Sequence, residues 1–161
     1  MRMYDITIHE EAARRISAVL TTFLRESCAL DAMLIDRGGQ LLVRGGAARA
    51  LDTVSLSALA AGAFSSTAAM ARLLGEAEFT VLFHQGARES IHVAAVDDQA
   101  ILLAIFDGQT TVGMVRLFAK EAADAIRAIL AGSKNQPART GTLAAPLGPD
   151  EGHPTLRPRL G

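Results

Sequence analysis

From Ile8 to Cys28 the apolar residues Ala12, Ile16, Val19, Leu20, Phe23 and Leu24 recur at steps of three and four, with charged residues between them. That spacing predicts an amphipathic helix. Two short apolar runs follow, Ala32 to Asp36 and Gln40 to Arg44, around Arg37-Gly38-Gly39. Paired glycines suit the positive φ angles of a tight hairpin, so these runs are the first two strands. Asp52 or Thr53 is a suitable N-cap for a second helix of about six turns, which has no proline and stops at Gly75.

Three more strands are expected at Phe79 to Gln85, Ser90 to Val96 and Ala100 to Phe106. The connections Gly86 to Glu89 and Asp97 to Gln99 are too short for a crossover and impose an antiparallel meander. The run Ile101 to Phe106 is apolar at every position, which a strand with one wet face would not need, so it is central and covered on both sides. A third helix starts near Thr110 or Thr111 and runs to about Leu130, with Val112, Val115, Leu117, Ala122, Ile126 and Ile129 on its buried side and Gly132 as its stop. The resulting order, α-β-β-α-β-β-β-α, predicts an α/β (α+β) domain. Its five-stranded antiparallel sheet carries helices 1 and 3 on one face and helix 2 on the other.

The second helix is unusual in composition. Ala58, Ala60, Ala61, Gly62, Ala63, Ser65, Ser66, Ala68, Ala69 and Ala71 are all small. Directing Leu56, Leu59, Phe64, Met70, Leu73 and Leu74 to the sheet would leave an alanine-rich outer surface suited to a close partner. Residues 1–132 form the expected domain. All five prolines of the chain fall beyond Ser133, so 133–161 is expected to be a flexible Pro/Gly-rich tail.

The 161 residues are half hydrophobic and carry a net charge of -1, which gives no electrostatic pull towards nucleic acid. The N-terminus is charged where a signal peptide would be apolar, and no apolar stretch is expected to span a membrane. One cysteine, Cys28, cannot pair within the chain and is expected to be a small core residue of a cytoplasmic protein.

Candidate chemistry is sparse. Neither Arg37-Gly38-Gly39 nor Arg44-Gly45-Gly46 is followed by the lysine and hydroxyl residue of a phosphate-binding loop. His84 and His92 could approach on one face of a hairpin, but lack a third ligand for a metal. Glu76 with Glu78 and Asp97 with Asp98 are turn residues, and Ser65, Ser66 and Thr67 lie inside a helix rather than on a nucleophile's strained turn. No catalytic residue, metal or cofactor is expected. A ligand-sensing domain with a profilin-like or PAS-like sheet is disfavoured by the lack of tryptophan and the single tyrosine.

The segments LIDRGGQ (34–40), LSALAAGAFSSTAAMARLLGEAEF (56–79), HQG (84–86) and FDGQTTVGMVRL (106–117) resemble the roadblock/dynein light chain family, most of all its bacterial MglB branch. The resemblance covers roughly residues 5 to 131 and implies a homodimer that activates the Ras-like GTPase MglA in cell polarity and gliding motility. It also implies that the paired second helices receive the GTPase, with Ala61, Ser65, Ala69 and Arg72 on the docking stripe. In this scheme docking reshapes the GTPase's own switch regions, and Arg44, Arg49 and Arg88 act only in turn solvation. The alternative is a scaffold that holds a GTPase without activating it. Arg15, Arg116 and Lys120 form a candidate second partner face on the opposite side. The protein is expected in the cytoplasm, concentrated at a cell pole. Two features depart from the family pattern: the Ala-Gly of the second helix is followed by Ala63 and then Phe64 where relatives continue with asparagine, and the tail is proline-rich rather than acidic.

Overall fold

The computed structural model describes residues 7–46 and 49–135. It contains α1 (Glu10–Ser27), β1 (Asp31–Asp36), β2 (Leu41–Gly46), α2 (Thr53–Leu73), β3 (Val81–Gln85), β4 (Glu89–Ala95), β5 (Ala100–Asp107) and α3 (Val112–Lys134). The strands form one antiparallel sheet in the order β2-β1-β5-β4-β3. β1 and β5 lie at its centre, and every residue of β1 and all of β5 but Asp107 are buried.

Alternate residues of these two strands supply two cores. Ala32 and Leu34 of β1 and Ala100, Leu102, Ala104 and Phe106 of β5 pack with Ile16, Leu20 and Phe23 of α1 and Val115, Ala119 and Ile126 of α3. Met33, Ile35, Ile101, Leu103 and Ile105 face the other way, against Ala60, Ala61 and Phe64 of α2. The predicted layering is therefore the observed one.

The helix ends follow local chemistry. Asp52 Oδ1 accepts from Ser55 N at 3.0 Å and Thr111 Oγ1 from Met114 N at 3.2 Å, two side-chain N-caps. After α2, Gly75 takes φ +78° while its N–H donates to Arg72 O and that of Glu76 donates to Ala71 O, the paired bonds of a Schellman stop. Gly132 stops nothing: α3 continues to Lys134, because a helical glycine costs only about 1 kcal/mol and the chain there has no need of a left-handed residue. The expected tail lies, from residue 136 onward, outside the described residues. Cys28 is exposed and adopts φ +56° at the end of α1, so it caps a helix rather than filling the core. Val112 and Leu117 are also exposed, since the buried stripe of α3 runs through Val115, Ala119, Ala122, Ile126 and Ile129.

Two features fix α2 on the sheet. Gly39 in the β1–β2 turn has φ +96°, and a Cβ there would stand 2.9 Å from Ala58 Cα, so only glycine permits this approach. Arg37 lies over the Phe64 ring, 5.0 Å from its centroid, and donates to the Glu78 carboxylate and the Asp97 carbonyl. One guanidinium thus links the first hairpin, α2, the approach to β3 and the β4–β5 turn.

Phe64 is the one large side chain that α2 buries completely, whereas Leu59 is 71% exposed. Phe64→Ala is expected to cost about 3–5 kcal/mol and Leu59→Ala within about 0.5 kcal/mol, as read from urea unfolding of the two variants.

Candidate functional site

The orientation of α2 decides which of its residues a partner can meet. Its sheet side is Ser57, Ala60, Ala61, Phe64, Thr67 and Ala71, all small but one. Leu59, Met70 and Leu73 point outward with 71%, 52% and 87% of their surface exposed, and Leu74 just beyond the helix is exposed too. The sequence expectation of large residues inward holds for Phe64 and Leu56 and fails for Leu59, Met70, Leu73 and Leu74, which join the expected small residues on the outside. Met33, Ile35, Ile101, Leu103 and Phe64 itself fill the space above the sheet, so the other inward positions of the helix take only small residues.

The candidate docking residues separate accordingly. Ser65, Ala69 and Arg72 are exposed, but Ala61 is only 5% exposed and belongs to the core, so it cannot line a docking surface. Sequence reasoning missed Leu59, Met70 and Leu73, which share the outward face at helical spacing with the small residues Gly62 and Ser66 expected there. The signal lay in Phe64: the positions one or two turns from it, 57, 60, 61, 67, 68 and 71, are all small, so a sheet-facing Phe64 places small residues on the sheet.

The outward face is apolar and short of polar groups. Arg72 is the one charged residue within α2, and the Ser66 hydroxyl is satisfied by Gly62 O at 2.9 Å. Contrary to expectation, α2 is long and apolar enough to cross a membrane by length and composition, although its inner side is seated on the sheet. Beside it, β3 pairs with β4 along one edge and leaves the other open. Leu56, Leu59, Ala63, Leu82, His84 and Ile91 line a cleft of about 170 Å³ between α2 and this strand. An exposed apolar helix face next to an open strand edge offers side-chain burial and backbone hydrogen bonding to another chain.

His84 and His92, which a hairpin could bring together on one face, do not meet. His84 pairs with Ile91 and His92 with Phe83, so the two histidines project from opposite faces of the sheet. His92 lies beneath α3 with 1% exposure and no partner for either ring nitrogen. Burial, with the nearby positive charge of Arg116, lowers its pKa to about 4. Arg116 and Lys120 line the same cleft as His92, between α3 and β3–β4, while Arg15 on α1 is not part of it.

The other arginines considered from sequence are engaged. Arg44 holds the fully buried Asp31 with bonds of 3.1 and 2.6 Å, and that carboxylate keeps the guanidinium pKa above its ordinary value. Arg49 bonds both oxygens of Glu89 at 2.6 and 3.1 Å, which replaces the expected simple solvation by a clamp from the β2–α2 connection to the start of β4. Arg88 stands exposed in the β3–β4 turn. Among the described residues no group of three or more histidine, cysteine, aspartate or glutamate side chains could hold a metal ion.

Three helices on an antiparallel sheet of this order, with an exposed apolar second helix, define a roadblock domain. Residues 15–106 match the Roadblock/LC7 domain model, and the chain belongs to that family. Among solved structures, the gliding protein MglB of Thermus thermophilus is 34% identical with a TM-score of 0.76, over 80% of this chain and 97% of that one. MglB of Myxococcus xanthus is 36% identical with a TM-score of 0.69, over 73% and 95% of the two chains. An MglB in a tetrameric arrangement is 33% identical with a TM-score of 0.77, over 80% and 97%. Profilin II of Acanthamoeba castellanii shares the fold alone, at 17% identity and a TM-score of 0.51 over 70% and 96% of the chains. No curated protein matches.

The buried histidine has a measurable consequence. An unfolded histidine takes up a proton near pH 6.5, whereas folded His92 resists until about pH 4. The unfolded state therefore binds more protons in that window, and stability is lost as pH falls through it. A loss of about 2–3 kcal/mol between pH 6.5 and 4 is expected from this group. Comparing urea midpoints across the window should show a shallower fall in His92→Leu.

Proposed function

We propose that this chain is an MglB-like homodimeric regulator of a small Ras-type GTPase of the MglA kind. Its second helices receive the GTPase, and docking remodels the switch regions to accelerate GTP hydrolysis. The observation that carries this reading is the outward face of α2, where Leu59, Met70 and Leu73 are exposed on a helix with a single charge. Such a surface in water calls for a protein partner. The likeness to MglB structures over most of the chain supports the choice of partner. The open edge of β3 supports dimerisation, because a second copy can extend the sheet there.

The activating step in this reading needs no arginine from the regulator. Arginine fingers stabilise charge on the transferred phosphoryl group, but Arg44 and Arg49 are committed to Asp31 and Glu89. Arg72 sits on the docking helix itself and contributes to recognition. The protein acts in the cytoplasm at a cell pole, in polarity or motility control. The Roadblock/LC7 domain match supports one alternative equally, a roadblock scaffold that holds the GTPase without changing its rate.

Single-turnover GTP hydrolysis by an MglA-like GTPase distinguishes the two. Acceleration at saturating regulator is expected; co-elution of the two proteins at an unchanged rate assigns the scaffold role instead. Ala69→Arg and Ser66→Arg, which place a charge in the docking face, should weaken the complex at least about thirty-fold. Size-exclusion chromatography should still show the dimer, and retention of the GTPase by both variants would move docking to another face.

A further inference from the structure

We propose that the cleft between α3 and the β3–β4 hairpin binds a small oxyanion, a phosphate or carboxylate group of a low-molecular-weight ligand, between His92 on its floor and Arg116 and Lys120 on its wall. The cleft has a volume of about 540 Å³, and these three residues are among those lining it. It opens on the sheet face opposite α2, so it shares no residue with the proposed docking surface.

The first observation is the histidine. His92 is 1% exposed, and neither ring nitrogen has a partner. Its cross-strand neighbours, Phe83 of β3 and Ala104 of β5, have no polar side-chain atom to offer. A neutral imidazole always carries one N–H, and buried donors in folded proteins are normally satisfied. An oxygen of a bound anion supplies the missing acceptor.

The second observation is how the charges around the cleft are distributed. Arg127 donates to Val96 O and to Asp124 Oδ1, which places it beside the end of β4 that leads into the β4–β5 turn. Arg116 stands eleven residues earlier on α3, about 16 Å away along the helix, where its charge acts on His92. The acidic lining residues belong to the Arg127 end and are largely engaged: Glu78 by Arg37, Asp124 by Arg127, and Asp97 by the amides of Gln99 and Ala100 at 2.8 Å. Asp98 lies in the same turn. At the other end Lys120 has only an exposed contact of 3.6 Å to Asp124, and Arg116 has no ion-pair partner among the described residues. A guanidinium, an ammonium and an imidazole border this end of the cleft, and its one nearby carboxylate, Asp124, is held by Arg127 at 2.8 Å, so an incoming anion would meet charge-assisted donors, the strong kind.

The test uses the full ¹⁵N-labelled chain, titrated with inorganic phosphate and separately with citrate at constant ionic strength. Saturable shifts of the His92 ring and Arg116 side-chain signals are expected. Arg116→Gln, a change on an exposed helix surface, should weaken binding about ten-fold or more. Saturation by phosphate alone assigns a phosphorylated ligand, by citrate alone a carboxylate ligand, and by both a general oxyanion site. Absence of saturation with either anion, or equal binding by Arg116→Gln, overturns the proposal.

Discussion

The paired central strands β1 and β5 impose the constraint from which the rest of the architecture follows. Their buried residues leave both faces of the sheet in need of apolar cover. On one side α1 and α3 meet that need with large side chains such as Ile16, Leu20, Phe23 and Ile126. On the other side the strands contribute the volume themselves, through Met33, Ile35, Ile101 and Leu103, and α2 settles close above them on small residues. Gly39 and the Arg37–Phe64 stack belong to the same solution, since both hold the helix at short range.

Most of the fold was legible in the amino-acid sequence because strong local signals agree with the tertiary demand. The continuous run Ile101–Phe106 announced a two-sided strand, the glycine pair after Arg37 a hairpin, and Asp52 and Thr111 the starts of two helices. The rotation of α2 was not legible by amphipathicity, since residues on both of its sides are apolar and no charged face marks the outside. Ala61 was misplaced for that reason, and Leu59, Met70 and Leu73 were overlooked. The histidine pair failed on parity: hairpin register sets His84 against Ile91, and a single step along a strand exchanges its faces.

The two faces of the sheet also differ in chemical character. Above α2 lies an apolar strip with an open strand beside it, a surface that gains by excluding water with another macromolecule. Beneath α3 lies a cleft with fixed charges and an unsatisfied imidazole, where directional bonds dominate. β4 serves both, placing His92 under α3 and the next residue, Val93, in the core under α2.

Because α2 rests on alanines, the height and tilt of its outer face are set by the side chains below. Enlarging Ala60 or Ala71 would lift the helix as a unit, while trimming Met33 or Ile101 would let it sink, in either case carrying Leu59, Met70 and Leu73 along. Recognition can then diverge within a lineage through interior substitutions, with every residue on the contact surface unchanged.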